Sequence, residues 1–267
     1  MAKSVGFIGF GNMGAAIAHC LYHAQQDVAI LAVEPHPDRQ DWIHANAPYV
    51  QLMALADMLQ NCKYVFLAVK PNMIQELSAE LKPLLRPHHV LISMLAGVSV
   101  ATCEELLSHH KLVRIMPNTP AKVGRAFTGV CFSGGLSDDE TSTTLLLCKT
   151  FGECLICTEN DLNTITAVSG SGPAFFYRMA QACIDFGVVK GLNETNATQA
   201  VIQTMLGAAH MLIDDPNPTD QIRRVASPNG TTEAGLNAMT AHDFDAVVAK
   251  TLESALNRAI ALSKEIA

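Results

Sequence analysis

A glycine-rich turn near the amino terminus constrains the possible folds of this 267-residue chain more than any other feature. Gly9, Gly11 and Gly14 form the pattern GxGxxG directly after an apolar run at residues 5–8, and a helix-like segment begins at residue 12. In such a unit the first glycine permits a tight turn, the second admits a pyrophosphate, and the third brings helix against strand. The phosphates then rest on the N–H groups of the helix start. The pattern predicts a dinucleotide-binding domain, with a ligand-free turn as the alternative.

Strand-like and helix-like segments alternate through the first part of the chain. The predicted strands are residues 5–8, 28–33, 64–69, 90–94, 112–116, 128–132 and 153–157. The predicted helices are residues 12–23, 37–45, 73–85, 100–108 and 137–151. Capping-box patterns, Thr102 with Glu105 and Ser137 with Glu140, mark two of the helix starts. This alternation predicts a parallel, doubly wound sheet.

The pattern changes after residue 158, where no convincing strand follows. The predicted helices there are residues 162–168, 174–186, 194–213, 221–225, 232–239 and 244–266. Gly187 is interpreted as the C-terminal cap of the second of these helices. The helix at 194–213 is apolar on nearly every side, so we expect it to lie at a subunit interface. The fold class predicted is α/β: an N-terminal Rossmann domain at residues 1–158, then an all-α substrate-binding and dimerisation domain at residues 159–267.

The amino-acid composition argues against several classes of binding partner. The net charge is −7, with 18 basic and 25 acidic residues and no basic block, so nucleic acid and anionic membranes are poor candidates. No apolar run approaches the length of a membrane span. Because Met1 is followed almost directly by a predicted strand, we expect no signal peptide, and the eight cysteines have the distribution of buried, reduced thiols. We therefore expect a cytoplasmic protein with no metal site, since the CxxC at Cys154 and Cys157 lacks a second ligand pair.

Candidate cofactor contacts follow the ends of the predicted strands, the edge where parallel sheets bind ligands. They are Ile8, Gly9, Phe10, Gly11, Asn12, Met13, Gly14, Ala68, Val69, Lys70, Pro71, Ala96, Gly97 and Asn118. Glu34, about 20 residues after the turn, has the spacing of an acid that accepts from the adenosine ribose hydroxyls and repels a 2′-phosphate. Arg39 is the competing basic candidate. Ordinary loop roles are the alternative for Glu34, Lys70 and Asn118.

A second candidate site lies at residues 227–232. Ser227, Pro228, Asn229 and Gly230 have turn chemistry, and Thr231 and Thr232 open a helix. The free N–H groups of a helix start favour a carboxylate, and the two hydroxyls add donors. A plain capped turn is the alternative on local features alone.

These segments together resemble a known family. The strings GFIGFGNMG, AVKP, MPNTP, SGSGPAF and VASPNGTTEAGL occur in the order typical of pyrroline-5-carboxylate reductases, and the resemblance covers essentially the whole chain. It implies reduction of 1-pyrroline-5-carboxylate to L-proline by NADPH or NADH, and a homodimer, possibly within a ring of dimers. It also implies substrate binding by Ser227, Gly230, Thr231 and Thr232, with the carboxylate on the N–H groups of residues 230–232. The Thr232 hydroxyl would contact the ring nitrogen as the catalytic group.

The chain departs from the family pattern in one place, and two other functions are alternatives to this one. Val33, Glu34 and Pro35 stand where many members of the family have small polar or basic residues, so we expect both cofactors to work and NADH to be favoured more than in relatives. A β-hydroxyacid dehydrogenase is the first alternative, but it needs a lysine on a glycine-rich helix where this chain has Arg178. A non-enzymatic dinucleotide-sensing protein is the second, but it has no need of the turn at residues 227–232.

Overall fold

The computed structural model describes residues 3–24 and 28–265. Eight strands lie in these ranges: β1 (Ser4–Ile8), β2 (Ala29–Val33), β3 (Val50–Leu52), β4 (Tyr64–Leu67), β5 (Val90–Ser93), β6 (Leu112–Met116), β7 (Ala126–Phe132) and β8 (Gly152–Ile156). They form one sheet in the order β3-β2-β1-β4-β5-β6-β7-β8. The first six strands are parallel to one another. Their order is that of a Rossmann domain.

The helices fall into two groups along the chain. They are α1 (Asn12–Ala24), α2 (Pro37–Asn46), α3 (Leu55–Asn61), α4 (Ile74–Leu81), α5 (Val100–Leu107), α6 (Asp138–Lys149), α7 (Glu159–Ile165), α8 (Gly172–Val189), α9 (Glu194–Asp214), α10 (Pro218–Val225), α11 (Thr231–Ala241) and α12 (Phe244–Glu265). Two 3₁₀ segments, Pro71–Met73 and Thr119–Val123, and one π-helical turn, Thr166–Gly170, lie between them. Helices α1 to α6 alternate with strands, and helices α7 to α12 follow the last strand.

Alternate residues of the central strands enter separate cores on opposite faces of the sheet. Phe7 of β1 and Phe66 of β4 stack with ring centroids 4.9 Å apart, in a core shared with α1, α2 and α6. Ile8 and Leu67, one residue further along each strand, pack in the second core with α3, α4 and α5. Strands buried on both faces need apolar side chains at every position, which explains the apolar runs that predicted β1 and β4. The two cores fix the carboxyl ends of these strands.

The last two strands run opposite to the first six. β7 pairs antiparallel with β6, with Arg114 opposite Cys131, and β8 pairs in parallel with β7. Only the short Thr119–Val123 turn lies between β6 and β7, whereas a parallel return requires a crossover of a dozen or more residues. The predicted parallel sheet is therefore confirmed for β1 to β6 and wrong for the β6–β7 pair.

The N-terminal cap of α5 differs from the prediction. The Oγ atom of Ser99 accepts the N–H of Thr102 at 2.9 Å, so Ser99 is the capping residue. Thr102 is already inside the helix, and the predicted capping box with Glu105 is wrong. The second predicted capping box, Ser137 with Glu140, is confirmed at the start of α6. Strand β3 and helix α3 were not predicted at all.

The C-terminal cap of α8 is also displaced from its predicted position. Gly191 ends the helix with a φ of +100°, its N–H donating to the carbonyl of Val188 and the next N–H to the carbonyl of Gly187. These two bonds form a Schellman motif. Gly187 lies inside the helix instead, where a Cβ atom would come within 3.2 Å of the Cβ atom of Ala197 on α9. Its small size allows α8 and α9 to pack closely, and the predicted cap at Gly187 is wrong.

The chain divides into two compact units. The first contains the residues up to Ser171 together with those from Ala255 onward, and the second is Gly172–Ser254. The units separate after residue 171 rather than at the predicted domain boundary after 158, because Leu162 and Ile165 of α7 pack with Met116 of the sheet. The functional division of the chain at residue 158 stays a prediction.

The second unit leaves much apolar surface uncovered. On α9, Ala197 is buried, whereas Ile202, Leu206 and Ile213 are each more than half exposed. Large exposed apolar patches of this kind mark interaction surfaces. None of the helices within the described ranges is both long enough and apolar enough to span a membrane.

Candidate active site

Gly9 and Gly14 shape the turn that follows β1. Gly9 has a φ of +83°, and a Cβ atom there would lie 2.9 Å from Cγ1 of Val69 and 3.0 Å from the carbonyl carbon of Ala68. At Gly14 a Cβ atom would lie 3.3 Å from the Cβ atom of Ala68 and from the carbonyl oxygen of Gly9. Any side chain at residue 9 is therefore strained, and one at residue 14 pushes α1 off the end of β4. The first and third glycines have the geometry that the pattern predicts.

Gly11 opens the turn to a ligand. A Cβ atom on Gly11 would have no other atom within 4 Å. The backbone N–H groups of residues 11–14 have no acceptor in the described part of the chain, and the first bonded N–H of α1 is that of Ala15, which donates to Gly11. Free N–H groups at the positive end of a helix dipole bind anions. Space and donors together fit the pyrophosphate of a dinucleotide.

Glu34 lies at the end of β2 beside this turn. It is only 9% exposed, with Oε2 accepting the N–H of Phe10 at 2.8 Å and Oε1 accepting the N–H of His36 at 3.1 Å. The carboxylate therefore holds the backbone of the glycine turn in place. Each oxygen keeps a second lone pair that can accept a ribose hydroxyl. The structure brings Glu34 to the turn, as its spacing predicts, and shows a supporting role that sequence reasoning missed.

Arg39, a positively charged side chain, also contacts Phe10 of the turn. Its Nε donates to the carbonyl oxygen of Phe10, and its guanidinium carbon lies 3.8 Å from the ring centroid of Trp42. Its Nη2 atom is buried without a hydrogen-bond partner among the residues the structure describes. The backbone N–H of Phe10 is thus bonded to the carboxylate of Glu34, and its carbonyl oxygen is bonded to the guanidinium of Arg39. The stacking of Arg39 on Trp42 was missed, although their three-residue spacing on one helix was an available signal.

The other predicted cofactor residues near the turn lie in different environments. Ile8 and Phe10 are buried, Asn12 is exposed at the start of α1, and Met13 is half-buried against the first core. Lys70 is exposed, and Pro71 begins the 3₁₀ segment that follows it. These residues surround the end of β1 and the end of β4, where the sequence placed them.

Ala96 and Gly97 have structural explanations of their own. Ala96 packs with the cluster of Met116, Leu162 and Ile165. Gly97 has a φ of +78°, and a Cβ atom there would lie 2.7 Å from the carbonyl oxygen of Leu262 on α12. Close approach of α12 therefore requires a glycine at residue 97 regardless of any cofactor.

The Asn118 side chain makes three hydrogen bonds within the chain. Nδ2 donates to the carbonyl oxygen of Ser169 at 3.1 Å and to its Oγ at 3.0 Å, and Oδ1 accepts the N–H of Phe127 at 3.0 Å. Ser169 belongs to the π-helical turn, a geometry that concentrates at functional sites. Asn118 therefore ties the loop after β6 to this turn, and a contact between Asn118 and the cofactor stays a prediction.

The turn at residues 227–232 is closed by its own backbone. The N–H of Gly230 donates to the carbonyl oxygen of Ser227 at 3.0 Å, and a Cβ atom on residue 230 would lie 2.5 Å from the Oγ of Ser227. Such a Cβ atom would also lie 2.9 Å from the carbonyl oxygen of Ser227, so a larger residue at 230 requires the turn to shift. The N–H of Gly230 is bonded within the turn in this conformation, and the expectation that it donates to a substrate carboxylate stays a prediction.

The donors available at this turn lie one residue further on. Gly230 is the N-terminal capping residue of α11 and provides no side-chain acceptor, so the N–H groups of Thr231, Thr232 and Glu233 remain free in the described structure. The Glu233 carboxylate accepts the N–H of Asn229 at 2.8 Å and stabilises the turn. Thr232 also borders an apolar cavity of about 330 Å³ between α9, α10 and α11, lined in part by Met211, Leu212 and Leu236. This helix start therefore combines three free N–H groups, a hydroxyl and an apolar wall.

Both candidate sites present backbone N–H donors. Among the described residues no group of three histidine, cysteine, aspartate or glutamate side chains is placed to hold a metal ion. The first unit offers a helix start shaped for a pyrophosphate, and the second offers a helix start suited to a small carboxylate. This pairing is suited to a dinucleotide-dependent reaction on a small acid.

Comparison with known proteins identifies the family of the chain. A family model described as pyrroline-5-carboxylate reductase dimerisation matches residues 159–262, and one described as NADP oxidoreductase, coenzyme F420-dependent, matches residues 4–97. The pyrroline-5-carboxylate reductase of Pseudomonas aeruginosa is 33% identical over 98% of this chain and 97% of its own length. The chain belongs to the pyrroline-5-carboxylate reductase family. The Escherichia coli K12 member is 29% identical over 99% of this chain and all of its own length.

Solved structures extend the agreement to the fold. A pyrroline-5-carboxylate reductase from Coxiella burnetii has a TM-score of 0.89 and 30% identity, covering 98% of each chain. The Plasmodium falciparum pyrroline carboxylate reductase, solved with NADP bound, has a TM-score of 0.87 and 26% identity, again over 98% of each chain. The predicted parallel dinucleotide-binding sheet, the helical dimerisation region and the function, NAD(P)H-dependent reduction of pyrroline-5-carboxylate, are confirmed. The two alternative functions receive no support.

Proposed function

We propose that this chain forms L-proline by holding NAD(P)H on the turn of residues 9–14 and 1-pyrroline-5-carboxylate at the start of α11. The observation that carries this assignment is the pair of free N–H groups at Thr231 and Thr232, next to the Thr232 hydroxyl. The substrate is a cyclic imine with a single carboxylate. It therefore has one anionic group for the N–H groups and one ring nitrogen for the hydroxyl.

The carboxylate would be held by the helix start. The N–H groups of Thr231 and Thr232 donate to it, and the α11 dipole adds roughly 0.3–1 kcal/mol for a charge at an exposed helix terminus. Ser227, whose Oγ lies over Gly230, supplies a further hydroxyl donor. Gly230 allows the turn to close, and donation of its N–H to the carboxylate stays a prediction. The cavity bordered by Thr232 provides apolar surface for ring carbons.

Thr232 would act at the reacting centre. Protonation of the imine nitrogen makes the adjacent carbon a strong hydride acceptor, so the reaction needs no metal and no strong acid. A threonine hydroxyl is a weak acid, and its role is to hold the proton at the ring nitrogen in the orientation that the transfer requires. Most of the rate enhancement then comes from positioning.

The cofactor residues divide into backbone donors and supporting side chains. The N–H groups of residues 11–14 hold the pyrophosphate, and the residues that follow β4, Ala68 to Pro71, border the same sheet edge. When bound, NAD(P)H supplies the hydride. Ala96, Gly97 and Asn118 shape the loops after β5 and β6. The functional division of the chain would be a cofactor domain at residues 1–158 and a substrate and dimerisation domain at residues 159–267.

Cofactor choice would depend on Glu34 and Arg39. The carboxylate of Glu34 accepts the ribose hydroxyls of NADH with its remaining lone pairs and repels the 2′-phosphate of NADPH. Arg39, held against Phe10 and Trp42, offsets part of this repulsion. Both cofactors would therefore support turnover, with NADH favoured more than in family members that lack the acid.

The active assembly would be a homodimer, possibly within a ring of dimers. The match of residues 159–262 to a dimerisation domain and the exposed apolar side chains of α9 support this assembly. A cytoplasmic location is supported by the cysteines, all of which are free thiols. Neither nucleic acid nor a membrane would be a partner of this acidic chain.

Two substitutions at residue 232 test the proposal. Thr232→Val removes the hydroxyl while keeping the shape, and we expect kcat/KM for pyrroline-5-carboxylate to fall roughly ten- to a thousandfold, about 1.4–4 kcal/mol. Thr232→Ser keeps the hydroxyl and should stay within a few-fold of wild type. Thr231→Val is the matched control, because only the N–H of Thr231 is assigned a role. Wild-type kinetics for Thr232→Val would remove this hydroxyl from the mechanism.

A further inference from the structure

A cavity of about 480 Å³ lies in the first unit at the sheet edge opposite the glycine turn. It is bordered by the ends of α4 and α5 and by the loops that lead into the amino ends of β5 and β6. The cofactor residues follow the carboxyl ends of β1, β2 and β4, so this cavity is separate from the cofactor site. Its volume is within the range of small-molecule sites, about 300–1,000 Å³.

The cavity is lined by basic side chains and by no acid. Lys82, Arg86, His109, His110 and Lys111 contribute to its walls, together with Ser108. The whole chain has more acidic than basic residues, 25 against 18. Lys82, Arg86 and Lys111 therefore make this cavity positively charged, although the protein as a whole is negative.

The negative ends of the two helices that border the cavity offset only part of this positive charge. The C-termini of α4 and α5 each contribute about half a negative charge. Lys111 pairs with Glu140 at 2.8 Å, but that carboxylate is shared with Lys63 at 3.0 Å. An excess of between about one and two positive charges remains after the helix dipoles and the shared Glu140 carboxylate are counted.

The basic groups differ in what they can offer to a ligand. Arg86 is held by its Nη1, which donates to the carbonyls of Pro83 and Leu85, so its guanidinium is already oriented. Lys82 is exposed at the end of α4. His109 is buried with its Nε2 bonded to the carbonyl of His89, and burial lowers its pKa, so it adds shape rather than charge. His110 lies 3.7 Å from Glu104.

We propose that this basic cavity binds a compact anion of the phosphate or pyrophosphate class through Lys82, Arg86 and Lys111, with the Ser108 hydroxyl as a further donor. Three cations and one hydroxyl match the several acceptor oxygens of such a ligand. Because the charged groups are partly exposed, binding weakens as ionic strength rises. The ligand is either a free inorganic anion or the phosphate group of a small metabolite.

Calorimetric titration of the full chain with pyrophosphate tests the site. Saturating NADPH is present throughout, because the glycine turn also accepts a pyrophosphate. We expect wild type to bind, and Lys82→Met with Arg86→Met to weaken the affinity at least tenfold. The matched control, Lys149→Met with Lys250→Met, removes the same charge from exposed positions elsewhere and should stay within twofold of wild type. All three proteins should still reduce pyrroline-5-carboxylate, which shows that they are folded.

Three results would overturn the proposal. They are an absence of binding to wild type, an unchanged affinity in the Lys82 and Arg86 variant, and an equal loss of affinity in the control. Parallel titrations with inorganic phosphate and glycerol 3-phosphate identify the source of the anion. Tighter binding of the ester indicates a phosphorylated metabolite, and tighter binding of the inorganic ion indicates free phosphate.

Discussion

Replacing Glu34 by glutamine or serine separates two roles of one carboxylate. The first role is support, because Glu34 accepts the N–H groups of Phe10 and His36. Hydrogen bonds to a charged group contribute about 1.5–3 kcal/mol each, and both cofactors need the turn that these bonds hold. We therefore expect Glu34→Ser to raise the KM of NADH and of NADPH together.

The second role is discrimination between the cofactors. Two unit charges about 6 Å apart repel by about 0.7 kcal/mol in bulk water and by about 3 kcal/mol at an effective dielectric constant of about 20. A value of about 1.4 kcal/mol, within this interval, is a tenfold effect. We expect both Glu34→Gln and Glu34→Ser to improve the KM of NADPH relative to NADH by about tenfold, whatever happens to the two values separately.

The assay is steady-state kinetics with each cofactor at saturating pyrroline-5-carboxylate. Asp38→Asn is the matched control, since Asp38 is an exposed acid on the first turn of α2 and should leave the preference ratio unchanged. If the ratio in both Glu34 variants equals that of wild type, Glu34 does not face the ribose. The reasoning from its spacing would then be refuted, and the carboxylate would be a supporting group only.

Three further predictions concern the turn, the buried histidines and the subunit interface. Gly11→Val should keep the free energy of unfolding near wild type but weaken cofactor binding at least tenfold. Gly9→Ala should also destabilise the fold, by about 1 kcal/mol or more, because the φ of residue 9 is positive. Equal unfolding curves for the two variants would contradict this. Burial lowers the pKa of His89 and His109 below the usual value of about 6.5, so the unfolded chain binds more protons below that pH. The contribution of these histidines to the free energy of unfolding should therefore be complete above about pH 6.5 and should decrease as the pH falls toward their lowered pKa values. Equal denaturation midpoints at pH 7.5 and 5.5 would argue against this. Light scattering should find a dimer at micromolar concentration, and aspartate at Ile202 and Leu206 of α9 should yield monomers, whereas a stable, active wild-type monomer would be the opposite result.

Local signals allowed the sequence to predict the parts of the site that depend on neighbouring residues. The roles of Gly9, Gly11 and Gly14 follow from a strand, a turn and a helix adjacent in the chain, and the structure has the corresponding geometry. The apolar runs of β1 and β4 reflect burial on both faces. In each case the controlling contacts lie within one βα unit or follow from a simple period.

Features that depend on distant contacts could not be predicted in this way. Asn118 is held by Ser169, 51 residues away, so nothing near it in the sequence shows that its amide is already used. Gly187 has the appearance of a helix end, and only its contact with Ala197 on the neighbouring helix explains why a glycine lies there inside α8. The direction of β7 depends on the length of a connection whose 3₁₀ turn had not been assigned.

The most direct test of the account is turnover of pyrroline-5-carboxylate by the purified protein. Nicotinamide absorbance is followed with NADH and with NADPH, and 3-hydroxyisobutyrate with the oxidised cofactors tests the β-hydroxyacid dehydrogenase alternative. The account predicts that either reduced cofactor is oxidised only when the cyclic imine is present, and that 3-hydroxyisobutyrate produces no change. A folded dimer that binds the cofactor and leaves fresh pyrroline-5-carboxylate unreduced would contradict the central claim.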